Sequence, residues 1–94
     1  MFGKIKLKAM SAEQAYAQAK LKEKEGEKKS LPYYLHAAEM GHIGAQYRMG
    51  EHYRLGIKDK KDPKLALYWF EEAAMQGNED ALDNMRILKS SGRV

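Results

Sequence analysis

Two aromatic pairs, each followed by an Ala-Ala pair and a glycine, stand 36 residues apart in this 94-residue chain. Tyr33-Tyr34, Ala37-Ala38 and Gly41 return as Trp69-Phe70, Ala73-Ala74 and Gly77. The same shift superposes Leu31 on Leu67, Ala45 on Ala81, Met49 on Met85 and Gly56 on Gly92. A fixed period between about 20 and 50 residues is the mark of stacked repeats, in which each unit buries its apolar face on the next. A single globular core is possible but thin at this length, and the echo points instead to a short stack.

The local pattern says that the stacked units are helical. Ala12, Ala15, Tyr16 and Ala19 share one helical face, so a helix is expected over about 10–25. A second helix runs to Met40 and starts either at Ser30, with Pro32 in its first turn, or directly after Gly26. Gly41 closes it, and a third helix is expected over 43–55, with Ala45, Met49, His52 and Tyr53 on one face. Gly44 and Gly50 each cost about 1 kcal/mol against alanine in a helix, which calls for a packing reason. Close approach of a neighbouring helix backbone is the expected one. After a polar loop, Gly56–Lys61, Asp62-Pro63 opens a fourth helix as N-cap and first residue, running from Pro63 to Gln76. Gly77 ends it, Asn78 caps a last helix over about 79–89, and residues 91–94 form a tail. With one Val and no Thr in the chain, and period-2 alternation confined to Lys4–Lys8, the expected class is all-α.

Residues 45–81 read Ala45, Met49-Gly50, Tyr53, Gly56-Ile57, Asp62, Lys64, Ala66, Trp69-Phe70, Ala73-Ala74, Gly77, Ala81. This spacing resembles the Sel-one-like repeat, a relative of the tetratricopeptide repeat. That family's pattern runs roughly A-x-x-x-L-G-x-x-Y-x-x-G, a variable loop with an Asp, then K-A-x-x-W-Y-x-x-A-A-x-x-G. Met49 replaces the usual Leu and Phe70 the common Tyr. The resemblance implies a short right-handed superhelical α-solenoid. Unit one would span about 10–41, unit two 42–77 and a partial unit or cap 78–90, behind a basic N-terminal segment, 1–9. Tyr33, Tyr34, Ala37, Ala38, Met49, Gly50, Tyr53, Trp69, Phe70, Ala73, Ala74 and Met85 are the expected repeat core.

The chain is poor in the residue patterns that carry chemistry. It has no cysteine, so disulfides, thiolate metal sites and thiol nucleophiles are excluded. His36, His42 and His52 lack zinc-site spacing, and His42 stands where Asn78 opens the last helix. No nucleophile elbow, phosphate loop or dinucleotide fingerprint occurs. No enzymatic activity, cofactor or metal is expected. Nor does any apolar run approach the ~18 residues of a membrane span. Met1–Lys8 lacks the apolar stretch of a signal peptide, and the expected location is the cytoplasm.

The remaining functional class is protein binding. The resemblance implies that the first helix of each unit lines a concave surface that receives a partner peptide or domain. On 43–55, Gly44, Tyr47, Glu51, Arg54 and Leu55 lie off the Met49/Tyr53 stripe and are the expected contact face. Tyr47 and Arg54 are the expected anchors, since aromatic and Arg side chains dominate binding energy. Family members serve as adaptors, assembly factors and regulators, and small bacterial members include inhibitor- and immunity-type partners. A second expectation rests on charge. The net +4 of the chain resides in residues 1–30, which hold eight Lys and four Glu, while residues 31–94 balance. That segment suits either solvated helix faces or an acidic partner such as nucleic acid. With so few units, self-association is a third.

Overall fold

The computed structural model describes residues 6–56 and 61–91; Ile57–Lys60 of the polar loop, most of the N-terminal segment and most of the tail lie outside the described residues. Five α-helices follow one another: α1 Ala12–Lys22, α2 Glu27–Glu39, α3 Ile43–Leu55, α4 Pro63–Met75 and α5 Glu79–Ser90. Short 3-10 turns precede α1 at Leu7–Ala9 and follow it at Glu23–Glu25. Consecutive helices pack on one another, so α1·α2 and α3·α4 form two hairpins and α5 lies on α4. The chain is an all-α stack of solenoid type.

Each boundary has a local cause. Ser11 builds a capping box with Gln14: its hydroxyl accepts from Gln14 N at 3.1 Å, and Gln14 Oε1 accepts from Ser11 N at 2.9 Å. The expected first helix was longer; Met10 lies outside it but is buried in the same apolar cluster as Ala15. Gly26, at φ 113°, separates the first two helices. Of the two starts open for α2, the chain takes Glu27, which places Pro32 in the second turn on an exposed position. Ser30 is then not a cap. It is buried at the position equivalent to Ala66, its hydroxyl donating back to Glu27 O.

The echo has an atomic explanation at the two inter-unit turns. Gly41 and Gly77 adopt φ of 95° and 99°. His42 N donates to Ala37 O and Gly41 N to Ala38 O; Asn78 N donates to Ala73 O and Gly77 N to Ala74 O, all at 2.9–3.1 Å. These are paired Schellman motifs, and the Ala-Ala pairs supply their carbonyls. The residue after each glycine then caps the next helix. His42 Nδ1 accepts from Ala45 N at 3.1 Å, and Asn78 Oδ1 accepts from Ala81 N at 2.8 Å. One stretch, A-A-x-x-G-[H/N]-x-x-A, therefore stops a helix, turns the chain and starts the next.

Adjacent aromatics serve different units. Trp69 belongs to the cluster that contains Tyr34, Ala37, Ala38, Ala45 and Met49, whereas Phe70 sits with Ala66, Ala73, Ala81 and Leu88. Tyr33 and Tyr53 pack at the edge of the first cluster, and Ala74 and Met85 at the edge of the second. Phe70 and Met49 are the largest fully buried side chains, each worth about 1.5–3 kcal/mol of burial.

The glycines of α3 correct one expectation. A Cβ on Gly50 would lie 2.6 Å from Cδ1 and Cε1 of Phe70, so the close approach comes from an aromatic ring rather than a helix backbone. At Gly44 the neighbours are likewise side chains, the Tyr16 hydroxyl and the His42 ring at 3.1 Å.

Candidate partner-binding face

The five residues expected on the contact face of α3 do not form one surface. Gly44 lies beneath Tyr16, whose ring stacks on His42 at 4.1 Å. Tyr47 is half-buried: its ring centroid is 5.5 Å from that of Phe70, and its hydroxyl accepts from Asn84 Nδ2 at 3.3 Å. Burial pushes the Tyr47 hydroxyl above its ordinary pKa, helped by the charges of Glu51 and Asp80. Tyr47 is thus committed to the second core cluster and is no free anchor, and truncating it would disturb the fold. Glu51 accepts from Arg48 Nη1 at 3.2 Å. Only Arg54 and Leu55 share an open feature.

That feature is a cleft of about 330 Å³ between the C-terminal ends of α3 and α5, lined by Arg54, Leu55, Lys61, Ile87, Leu88 and Ser91. Leu55 is 53% exposed and Ile87 61%. The Arg54 Nε is buried without a hydrogen-bond partner among the described residues. With no surface open to solvent, that nitrogen is not itself a contact point in the cleft. Lys61, Ile87 and Ser91 carry no sequence signal of their own; they reach the cleft only through the fold.

The other polar side chains of α3 fasten it to the first hairpin. His42 Nε2 meets Glu13 Oε1 at 3.0 Å, Arg48 pairs with Glu23, and His52 Nδ1 meets Glu27 Oε1 at 3.1 Å. Because His42 Nδ1 accepts from Ala45 N, its ring proton sits on Nε2 and is donated to Glu13. His36 Nε2 reaches Met10 O at 3.0 Å. The histidines are therefore ties between elements, and no group of three or more metal-ligating side chains occurs among the described residues.

Glu23 also accepts from the Tyr34 hydroxyl at 2.5 Å. That bond, with the Arg48 charge, holds its carboxyl below the ordinary range despite partial burial. Burial and the same bond push the Tyr34 hydroxyl well above its ordinary value. The Arg48 guanidinium lies 5.2 Å from the Tyr34 ring centroid, completing a Glu23–Tyr34–Arg48 cluster.

A second network escaped the sequence reading. Buried Gln46 donates to Ala38 O at 3.2 Å and accepts from Gln76 Nε2 at 2.8 Å, which also lies 2.9 Å from Gly41 O. The 36-residue shift pairs Gln46 with Leu82 and Gln76 with Met40. Neither glutamine repeats, so the periodicity gave no reason to single them out.

Paired hairpins joined through shared cap residues, with a half-unit beyond them, define a helical-repeat protein of the solenoid type. Residues 43–78 match the family model described as Sel1 repeat. The chain thus carries a Sel1 repeat over its third and fourth helices, and a Sel1 repeat is in general a helical protein-interaction module. No curated protein and no solved structure matches the chain significantly. No helix among the described residues is long and apolar enough to cross a membrane.

Proposed function

We propose that this chain is a non-enzymatic interaction module of the cytoplasm that acts as an adaptor, regulator or inhibitor/immunity-type partner. It binds a peptide or protein domain along the side formed by α3 and α5. The cleft beside Arg54 and Leu55 is the observation that carries this reading. It combines exposed aliphatic side chains with the cationic side chains of Arg54 and Lys61. Interface anchors are commonly residues of this kind, with Arg enriched at hot spots. The contact face is thereby moved from Tyr47 and Arg54 to Arg54 and Leu55, with Glu51 beside them.

The test uses a partner identified by affinity capture and then purified. Arg54→Ala with Leu55→Ser should weaken its binding at least about tenfold, as expected for two anchor residues, with an unchanged melting temperature. Tyr68→Ser, on a 49% exposed position of α4, should not. Equal affinity for the Arg54/Leu55 variant would remove the face assignment.

One observation favours a second reading. Glu13, Glu23 and Glu27 are drawn into pairs with α3, which leaves the lysines of the first hairpin to present a basic surface. An acidic partner, nucleic acid included, would bind there with affinity that falls steeply as salt rises. A gel shift at low ionic strength with no retarded band removes this reading.

A further inference from the structure

We infer that the groove between α4 and α5 receives an amphipathic helix of a partner protein, one that sets bulky apolar side chains two turns apart with a Lys or Arg between them on the same face. The groove has a volume of about 380 Å³ and is lined by Glu71, Glu72, Ala74, Met75, Leu82 and Met85. It shares no lining residue with the cleft of Arg54 and Leu55. The lining residues lie toward the Gly77 turn, whereas the undescribed segments join the opposite end of this hairpin, at Lys61 and Ser91. The 36-residue shift carries Ala38, Gln46 and Met49 onto Ala74, Leu82 and Met85. The same groove therefore occurs one unit earlier, between α2 and α3, and there it is filled.

The occupant of that earlier groove is α4. Trp69 joins Ala38 and Met49 in one buried cluster, and Gln76, the C-cap of α4, donates to Gln46 Oε1 at 2.8 Å. Residues two turns apart share one face of a helix. Beneath that face Ala38, Gln46 and Met49 keep only 1%, 4% and 1% of their surface. Their counterparts Ala74, Leu82 and Met85 are half-buried, and Met75 is 79% exposed. Among the described residues the chain thus holds one filled and one open copy of the same seat, and the filled copy is occupied by a helix.

The differences between the two copies set the chemistry of the partner. Leu35 and His36 beside the filled seat become Glu71 and Glu72, and Gln46 becomes Leu82. The open seat is aliphatic where the filled one meets Gln76, so the second large side chain of the partner must be apolar. One edge carries two carboxylates, so the residue between the two apolar ones should be cationic. Lys89 Nζ lies 3.8 Å from Glu71 Oε2 with both side chains about half exposed. So exposed a pair contributes little, and one cation against two carboxylates leaves the edge acidic.

The experiment titrates the full chain, labelled with nitrogen-15, with a synthetic alanine-based peptide of about 20 residues, long enough to hold a helix. The peptide carries one Trp, a Lys three residues on and a Leu seven residues on. It should shift the amide signals of Glu72, Met75, Leu82 and Met85 in a saturable way. The same peptide with Glu in place of Lys should bind about tenfold more weakly, since the exchange turns an attraction across the groove into a repulsion. Glu72→Lys in the chain should invert that preference, which a merely structural role of Glu72 would not do. Met75→Ser, on a 79% exposed position, should weaken both peptides at an unchanged melting temperature, so the groove stays testable even where the Glu72 variant misfolds.

No saturable shift with the Lys peptide, equal affinity for the two peptides, or shifts confined to other helices would overturn the assignment. Shifts at Met75, Leu82 and Met85 on concentrating the chain alone, with a dimer mass by light scattering, would also overturn it, in favour of a second copy of this chain.

Discussion

Gly50→Ala separates helix propensity from packing in a single methyl group. On propensity alone the substitution stabilises α3 by about 0.8–1.0 kcal/mol. The new Cβ, however, would fall 2.6 Å from Cδ1 and Cε1 of Phe70 and 2.9 Å from Cζ. Phe70 has no exposed surface, and the Tyr47 ring lies against it at 5.5 Å. The ring has no free volume to retreat into, so either α3 or α4 must shift. Overpacking of this kind costs about 1–3 kcal/mol, and a rigid ring places it in the upper part of that range. The net expectation is a destabilisation of about 1–2 kcal/mol, or a fall of roughly 5–15 °C in melting temperature at ~4–8 °C per kcal/mol for a domain of this size. Urea titration followed by circular dichroism and by the emission of Trp69, the single tryptophan, measures it. Gly44→Ala is the internal control. Its Cβ meets mainly the far end of the flexible Tyr16 side chain at 3.1 Å, so it should be neutral or slightly stabilising. Gly50→Ala combined with Phe70→Leu should lose less than the sum of the two single changes. Wild-type stability in Gly50→Ala, or strict additivity of the pair, would refute the packing argument.

Three further outcomes follow from the same contacts. Trp69→Ala should cost about 3–5 kcal/mol by urea titration, a large share of the stability of so small a domain, because Trp69 is the α4 side chain buried in the first cluster. Asn78→Ala should cost about 1 kcal/mol by removing the acceptor for Ala81 N, seen as a lower urea midpoint with an unchanged slope. Tyr34→Phe should flatten the stability–pH profile at both ends. Glu23 titrates below its ordinary 4.5, so its contribution is present above that value and is lost as pH falls through the depressed one. Tyr34 titrates above its ordinary 10.0, so its contribution is present below pH 10.0 and is lost as pH rises beyond it. Melting temperatures from pH 3 to 11 for both proteins would show it.

The helices were legible because they are written in residues with one physical use. Asp62-Pro63, Ser11 and the glycines at 41 and 77 set the ends of their helices through caps and positive φ. The start of α2 stayed ambiguous because Ser30 looks like a cap in one dimension; its burial and its bond to Glu27 O appear only in the folded chain. The contact face was less legible. Helical spacing places Tyr47 off the Met49 stripe, but a side chain that long reaches the next helix, and here it reaches Phe70 and Asn84. The cleft was invisible because Lys61 and Ile87 join Arg54 only through the return of the chain along α4 and α5.

Absence from the echo is therefore not enough to mark a functional residue. Gln46, Gln76 and Arg48 do not repeat, yet each is spent inside the protein, locking the first turn and the first hairpin onto α3. A two-and-a-half-unit stack needs such locks, since a terminal hairpin has a neighbour on one side only. What distinguishes Arg54 is that it fails to repeat and also lacks an internal partner among the described residues, in the company of aliphatic side chains left open to solvent. Polar groups of a stack that satisfy one another hold its units in register. The proposed contact face lies at the C-terminal end of α3 because Arg54 and Leu55 there take no part in those internal locks.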